Sequence, residues 1–444
     1  MRKICYLFFI ALGMIVFNIR LISAEEVEIN VTQEEIENSG FYLAVQHYLI
    51  EARDYASEDN PYVINVEPGE YKVSHMINVY SNTTLHLDGV TLIRDDGFDG
   101  NVIFIGGLDE AQNGVLGYYY SNIVLNGGIL DGSGGSKVLL KIGHAHNITV
   151  NNMTLRNEDN GHMVETNTVD GLTISKCKFE NQIISEKAAE EKGSYVYEAI
   201  QLDISVGEHV TGYRSEPLAS KNITISDCEF SNVIRGIGSH TGILNAPMEN
   251  ITIEGCTFNN LASSAIELVY SKDVTIINNI MTDVIRGIYV KMLNENGNGV
   301  YLSTYLAEEG NTDTDIDTSF KAIENANLLI SGNVIVLSEN QPVYDSSSKA
   351  GVFIVGRQLN QNNSNSDGSG NLPLGNYYYG GIVIANNRIT TTGYGIRIAD
   401  CRDGEIINNP IDYIYNDNDS ESTYRAIYIA DQSEGISVID NMLY

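Results

Sequence analysis

Five short segments hold most of the side chains that could move a proton or grip a charged ligand. They read HMVET from His162, EAIQLD from Glu198, RGIGSH from Arg235, SAIELV from Ser264 and RGIYVKM from Arg286. Within EAIQLD the apolar residues alternate. An extended chain then turns Ile200 and Leu202 to one side and Ala199, Gln201 and Asp203 to the other. Laid over one another, the segments give an outward column of Glu165, Gln201, Gly238, Glu267 and Tyr289. A second column holds Asn167, Asp203, His240, Val269 and Lys291, and His162, Glu198, Arg235, Ser264 and Arg286 stand at the turn before each strand. Stacked strands lie about 4.8 Å apart, so carboxylates, an imidazole, a phenol and cations fall within reach of one another. Such a set can do general acid–base work, stabilise a developing charge, or hold a polar ligand.

The plainer alternative is an exposed β face whose charges pair across strands. Two facts favour a groove. The chemistry-capable residues are confined to five coils, and insertions at 182–197, 204–220, 241–248 and 293–325 surround them. Loops converging on a rigid scaffold make the walls of a site. On an open face, replacing Glu198, Asp203, His240 or Lys291 by alanine is expected to cost within about 1 kcal/mol.

A second repeated phrase must position these segments. It reads NITVNNMTL at Asn147, GLTISKCKF at Gly171, NITISDCEF at Asn222, NITIEGCTF at Asn250 and DVTIINNIM at Asp273. Two short apolar strands that recur with turns between them are the coils of a parallel β-solenoid. The sixth position of the phrase is held by Gly128, Met153, Cys177, Cys228, Cys256, Asn279, Asn333, Asn387, Asn409 and Asn441. In-register stacking predicts amide ladders there, and buried, unbridged thiols at Cys177, Cys228 and Cys256. No CxxC or His–Cys spacing points to a metal. The Asn-Ile-Thr triplets at Asn147, Asn222 and Asn250 arise from the repeat and read as turns rather than glycan acceptors.

Composition sets limits on partners. The formal net charge of -32 across 444 residues repels nucleic acid and anionic membrane. It also opposes an anionic polysaccharide, except at a local basic patch or through bound cations. Arg2 and Lys3, the apolar run from Ile4 to Phe17 and a small residue at Ala24 read as a signal peptide over 1–24. The run is short for a span, so a secreted chain with no membrane insertion is expected, an uncleaved anchor being the alternative. The mature chain keeps Cys177, Cys228, Cys256 and Cys401.

From Glu35 to Ala56 the spacing turns helical, with Ile36, Leu43, Ala44, Tyr48 and Leu49 on one side. YVINVEPGEYKVSHMINVYSNTTLHLDGVTLI then runs from Tyr62 to Ile93 as strand, Pro-Gly turn and further strands. A helix over the first coil covers its unpaired edge. This segment, with GGILDGSG at Gly127, resembles the start of the pectin-lyase-like right-handed β-helix superfamily. Its polygalacturonases share a "PPGTY … SNVTLHL … G.IDG.G" pattern. The resemblance implies an all-β, right-handed parallel β-helix as one domain over 25–444, capped over about 30–60, with repeats from about 61 to 444.

It also implies cleavage of a uronate-containing, pectin-like polysaccharide, by hydrolysis or β-elimination. Polygalacturonases carry paired aspartates, a histidine and an Arg-x-Lys in successive coils. Here GIYVKM at Gly287 keeps Lys291 and puts Tyr289 in the arginine's place. EAIQLD falls where an Asn-Thr-Asp-Gly strand would be, with Glu198 standing for one acid. Arg235 and Ser264 replace the aspartate pair and the histidine. Two routes stay open. Glu198 and Asp203 form another carboxylate pair, or Lys291, His240, Arg235 and Tyr289 take a proton and stabilise an enolate, as in the lyases of this superfamily. The catalytic candidates are thus Glu198, Asp203, His240 and Lys291. His162, Glu165, Gln201, Arg235, Glu267, Arg286 and Tyr289 would hold the ligand. The competing class is a non-catalytic surface or adhesion solenoid that only binds glycan.

Asp313, Asp315 and Asp317, with Glu324 at the twelfth place, mimic a Ca²⁺-loop spacing. Thr318 stands where that loop needs glycine and Lys321 sits inside it, so a solvated acidic insertion is the alternative. Ca²⁺ is the one cofactor candidate. The expected partner is a polysaccharide and the expected state a monomer.

Overall fold

The computed structural model describes residues 26–133, 135, 137–159, 161–182, 197–205, 212–214, 216, 218–239, 242, 246–292, 323–339, 349–359, 375–414, 426–430 and 433–444. The signal segment 1–24, the calcium-like aspartates, His240 and most of the insertions lie outside the described residues.

Each coil is folded by residues that accept a left-handed backbone. Asn82, Asn122, Asn147, Gly171, Asn222, Asn250, Asp273, Asn327, Gly381, Asp403 and Gly435 all have positive φ and stack in register. They are the opening residue of the repeated phrase, which explains why Asn, Asp and Gly alternate there: these types visit that region at least cost. Asn152, Lys176, Asp227, Gly255, Asn278, Gly332, Asn386, Asn408 and Asp440 make a second bend, and Asn157, Asn181, Asn232, Asn260 and Asp283 a third. Three bends per turn give three short strands per coil. The amides of the first bend are used structurally: Asn147 Nδ2 donates to Asn122 Oδ1 at 2.7 Å, and Asn250 Nδ2 to Asn222 Oδ1 at 2.7 Å.

The result is a right-handed parallel β-helix: among the described residues, a 31-stranded sheet wound on itself with parallel pairings, beside one two-stranded antiparallel ribbon. Its interior is filled coil by coil. Phe179, Phe230 and Phe258 stack at 4.8 and 4.6 Å. Cys177, Cys228 and Cys256 are buried and free. Beyond them the amide oxygens of Asn279, Asn333, Asn387, Asn409 and Asn441 each accept from the backbone N–H of the preceding rung at 2.9–3.0 Å. The amides of Asn279, Asn333, Asn387 and Asn409 are buried, and they satisfy one another and the backbone, so the column keeps polar groups inside without the usual desolvation cost.

At the first coil, β1 (Val27–Val31) pairs with β2 (Tyr62–Val66), a strand the repeat did not announce. The helical stretch is divided at Gly40, φ 81, into α1 (Gln33–Ser39) and α2 (Phe41–Tyr55). The division rotates the apolar stripe onto Phe41, Ala44, Val45, Leu49 and Ala52, which are buried. Leu43, expected on that stripe, is instead 60% exposed. Among the described residues no helix is long and apolar enough to cross a membrane.

Candidate functional site

Nine strands carry the outward columns: β3 (Leu140–Asn151), β4 (Val164–Ser175), β5 (Glu198–Asp203), β6 (Arg235–Gly238), β7 (Thr257–Val269), β8 (Ile280–Lys291), β9 (Ala350–Val355), β10 (Tyr394–Ala399) and β11 (Ile427–Ile429). Their pairing puts Lys141, Glu165, Gln201, Gly238, Glu267, Tyr289, Phe353, Arg397 and Tyr428 in one unbroken column. Asn167 lies beside Asp203, and Val269 beside Lys291. Glu198 neighbours Arg235, and Ser264 neighbours Arg286. The register is as the sequence implies.

The exposure is not. Glu198 and Asp203 are 0% and 1% exposed, and Glu165, Gln201, Arg235, Glu267, Arg286, Tyr289 and Lys291 are buried as well. These side chains leave the coil's interior and still lie out of water. At one end the cover is visible: Tyr213 stacks on Phe104 at 4.6 Å, its hydroxyl donates to Ile105 O at 2.8 Å, and it occupies the space a side chain at Gly143 would fill. Ser220 Oγ donates to Asp203 O at 2.7 Å. The expectation that alanine is tolerated at Glu198, Asp203 and Lys291 is therefore corrected, because a buried charge left without its counter-charge is expensive.

The ionised groups are spent on one another. Arg235 joins Glu198 at 2.5 Å to Glu267 at 3.2 Å. Glu267 also receives Lys291 at 2.6 Å, Arg286 at 3.6 Å and the Ser264 hydroxyl at 3.1 Å. Burial works to raise the Glu267 carboxyl, but Arg235, Lys291 and Arg286 together outweigh it and hold the group well below the carboxylate range. His162 Nδ1 lies 3.2 Å from Glu198 Oε2, and its side chain is 15% exposed. Glu165 pairs with Lys141 at 2.9 Å and accepts from Asn167 at 2.8 Å. Asp203 accepts from Gln201 at 3.1 Å. Lys141 was missed by the sequence reading, although carrying the column one coil further back would have found it.

Glu198 and Asp203 do not face each other. They close opposite ends of one extended strand, roughly 16 Å apart at about 3.3 Å per residue, beyond the separation of about 5–9.5 Å that glycosidic acid–base pairs use. As a carboxylate pair they are corrected. Among the described residues, no three or more His, Cys, Asp or Glu side chains gather as metal ligands.

Towards β11 the column changes character. Tyr289 and Phe353 stack at 4.8 Å, with Arg286 4.6 Å above the Tyr289 ring. With Ala350 and Ala399 they form an apolar cluster on the outside of the coil, separate from the main core. Tyr394, Arg397 and Tyr428 follow, half-buried.

The pairings define the fold as a right-handed parallel β-helix. No protein-family model matches it, and no curated protein sequence does. It is similar in structure to PfbA, a surface adhesin of Streptococcus pneumoniae, with a TM-score of 0.62 and 17% identity over 91% of this chain and 87% of the adhesin. It is also similar to the tailspike protein of E. coli bacteriophage HK620, TM-score 0.55 and 15% identity, over 90% of this chain and 63% of the tailspike. A tailspike mutant solved in complex with a pentasaccharide gives a TM-score of 0.53 at 14% identity.

Proposed function

We propose that this chain is an extracellular polysaccharide-binding β-helix in which the outward column stiffens the face that takes a glycan along the axis. The observation that carries the reading is the unbroken register of polar, charged and aromatic side chains from Lys141 to Tyr428. Ion pairs fix these groups in place, which lowers the ordering cost of binding. The likeness to a surface adhesin and to a tailspike seen with a pentasaccharide supports the reading through the shared fold. Binding fits the geometry better than cleavage, because Glu198 and Lys291 are already engaged in buried ion pairs.

Cleavage is the second reading, favoured by one couple: the partly exposed His162 against buried Glu198, a pairing able to exchange a proton. Incubation with a panel of plant and microbial polysaccharides separates the two. Retention on a glycan with neither new reducing ends nor the ultraviolet absorbance of an unsaturated sugar is the expected result. New reducing ends would indicate hydrolysis, and the absorbance β-elimination. A chain retained by no glycan in the panel would end both readings.

A further inference from the structure

The face assigned above to glycan is uneven. Its first two thirds are buried and charge-paired, which leaves little for a ligand to touch. Its last coils are different in three ways that point the same way.

First, Tyr394, Arg397 and Tyr428 sit in neighbouring coils and are only half-buried, while Tyr289 and Phe353 beneath the same column are buried. Second, the three side chains form one surface. The Arg397 guanidinium carbon lies 4.4 Å over the Phe353 ring and 5.3 Å over the Tyr394 ring, and the Tyr394 and Tyr428 rings are 5.6 Å apart at an angle of 31°. Contact with two rings holds the guanidinium in place at little further entropy cost. Third, the cluster beneath the rings includes the small residues Ala350 and Ala399.

We infer that Tyr394, Arg397 and Tyr428 form the landing platform for the glycan, stacking on sugar rings while Arg397 and the phenols bond their hydroxyls. The inference rests on the polysaccharide-binding reading. The chemistry recommends a sugar over other ligands. A pyranose ring has an apolar face of C–H groups for an aromatic ring and a rim of hydroxyls for phenol and guanidinium groups. A base would also stack, but a formal charge of -32 repels a phosphodiester chain. A proline-rich peptide also lies on aromatic rings, so it is the competing class in the test.

The test is isothermal titration of the full mature chain with three hexasaccharides: cellohexaose, mannohexaose and hexagalacturonate. A proline-rich decapeptide serves as the competing class. At least one hexasaccharide should bind. Tyr394→Ala and Tyr428→Ala should each weaken it about tenfold, on the scale of one lost aromatic contact. Tyr428→Phe should bind within a factor of a few, and Arg397→Gln should weaken binding while the chain stays folded by circular dichroism. The exposed Tyr119→Ala should have no effect. Unchanged affinity in Tyr394→Ala, Tyr428→Ala and Arg397→Gln would overturn the platform and leave glycan binding standing. Should no hexasaccharide bind the unmodified chain, the platform and the polysaccharide reading fall together. Binding of the decapeptide with loss in Tyr428→Ala would overturn the ligand class. If the alanine variants unfold, Tyr428→Leu against Tyr428→Phe asks the same question without removing bulk.

Discussion

The inside and the outside of the same coils follow opposite rules. Inside, one position is nearly constant: three free cysteines, then five asparagines whose amides bond from rung to rung. Outside, the matching column changes at every coil, from lysine to carboxylate, amide, glycine, carboxylate and aromatic. Sameness stabilises the interior because like amides satisfy like amides at the stacking distance. Difference stabilises the exterior because like charges at that distance would repel. A repeat is therefore evidence for the scaffold, and departures from it are evidence for the site.

The largest effect should come from breaking the inner sameness. Asn333→Ala removes the amide that accepts from Asn279 backbone and side chain and donates to Ile276 O, Ser331 O and Asn387 Oδ1. At about 1 kcal/mol for each of these lost bonds the loss is about 5 kcal/mol, read as a drop in the urea midpoint. Next comes the outer difference. Glu267→Ala leaves Arg235, Arg286 and Lys291 buried without their common counter-charge, an expected loss of about 4 kcal/mol. If the two losses were equal to those of exposed sites, the contrast would collapse.

Acidity sharpens it further. Two buried carboxylates respond to pH in opposite directions because one has three cations and the other one. Burial pushes Glu158 up to about 9 against the opposing pull of Arg94 alone, whereas Glu267 is held down. Glu267 thus lends stability above its unfolded value of 4.5, which is lost as the pH falls below it. Glu158 lends stability below 4.5 that is lost as the pH climbs towards about 9. Melting curves across pH should show Glu267→Gln flattening the acid limb and Glu158→Gln flattening the neutral-to-alkaline limb. The reverse pattern would mean that cation number does not decide the charge of these groups.

The smaller effects are controls. Cys228→Ala removes one sulfur from the thiol stack and should cost about 1 kcal/mol, with all three thiols unreactive in native protein. Leu43→Gln, on the solvent side of α2, should stay within about 0.5 kcal/mol.

The β-helix, its register and the thiol and amide columns were legible because each copy of the phrase repeats the same bend residues at the same offsets. The columns through Glu267 and Lys291 followed from period-two alternation alone. Burial was not legible. It depends on what lies over the outer face, and segments such as the one bearing Tyr213 follow no period. Leu43 was misplaced because one glycine at Gly40 resets the helical phase. The strand Val27–Val31 was invisible for want of a copy to compare it with. The contact of Arg397 with the Tyr394 and Phe353 rings was not legible, because the later coils carry few ionisable residues and do not repeat one another.

The bonds that join one coil to the next run along the axis of the helix. Tension between the two ends of the described chain would therefore load the coils in series and peel them one at a time. Each release would pay out a length set by the spacing of the rungs. The 22 residues from Asn387 to Asn409 would give about 75 Å at about 3.4 Å per residue, and the 54 from Asn279 to Asn333 about 185 Å. A force trace of this molecule would be a ruler of its own insertions.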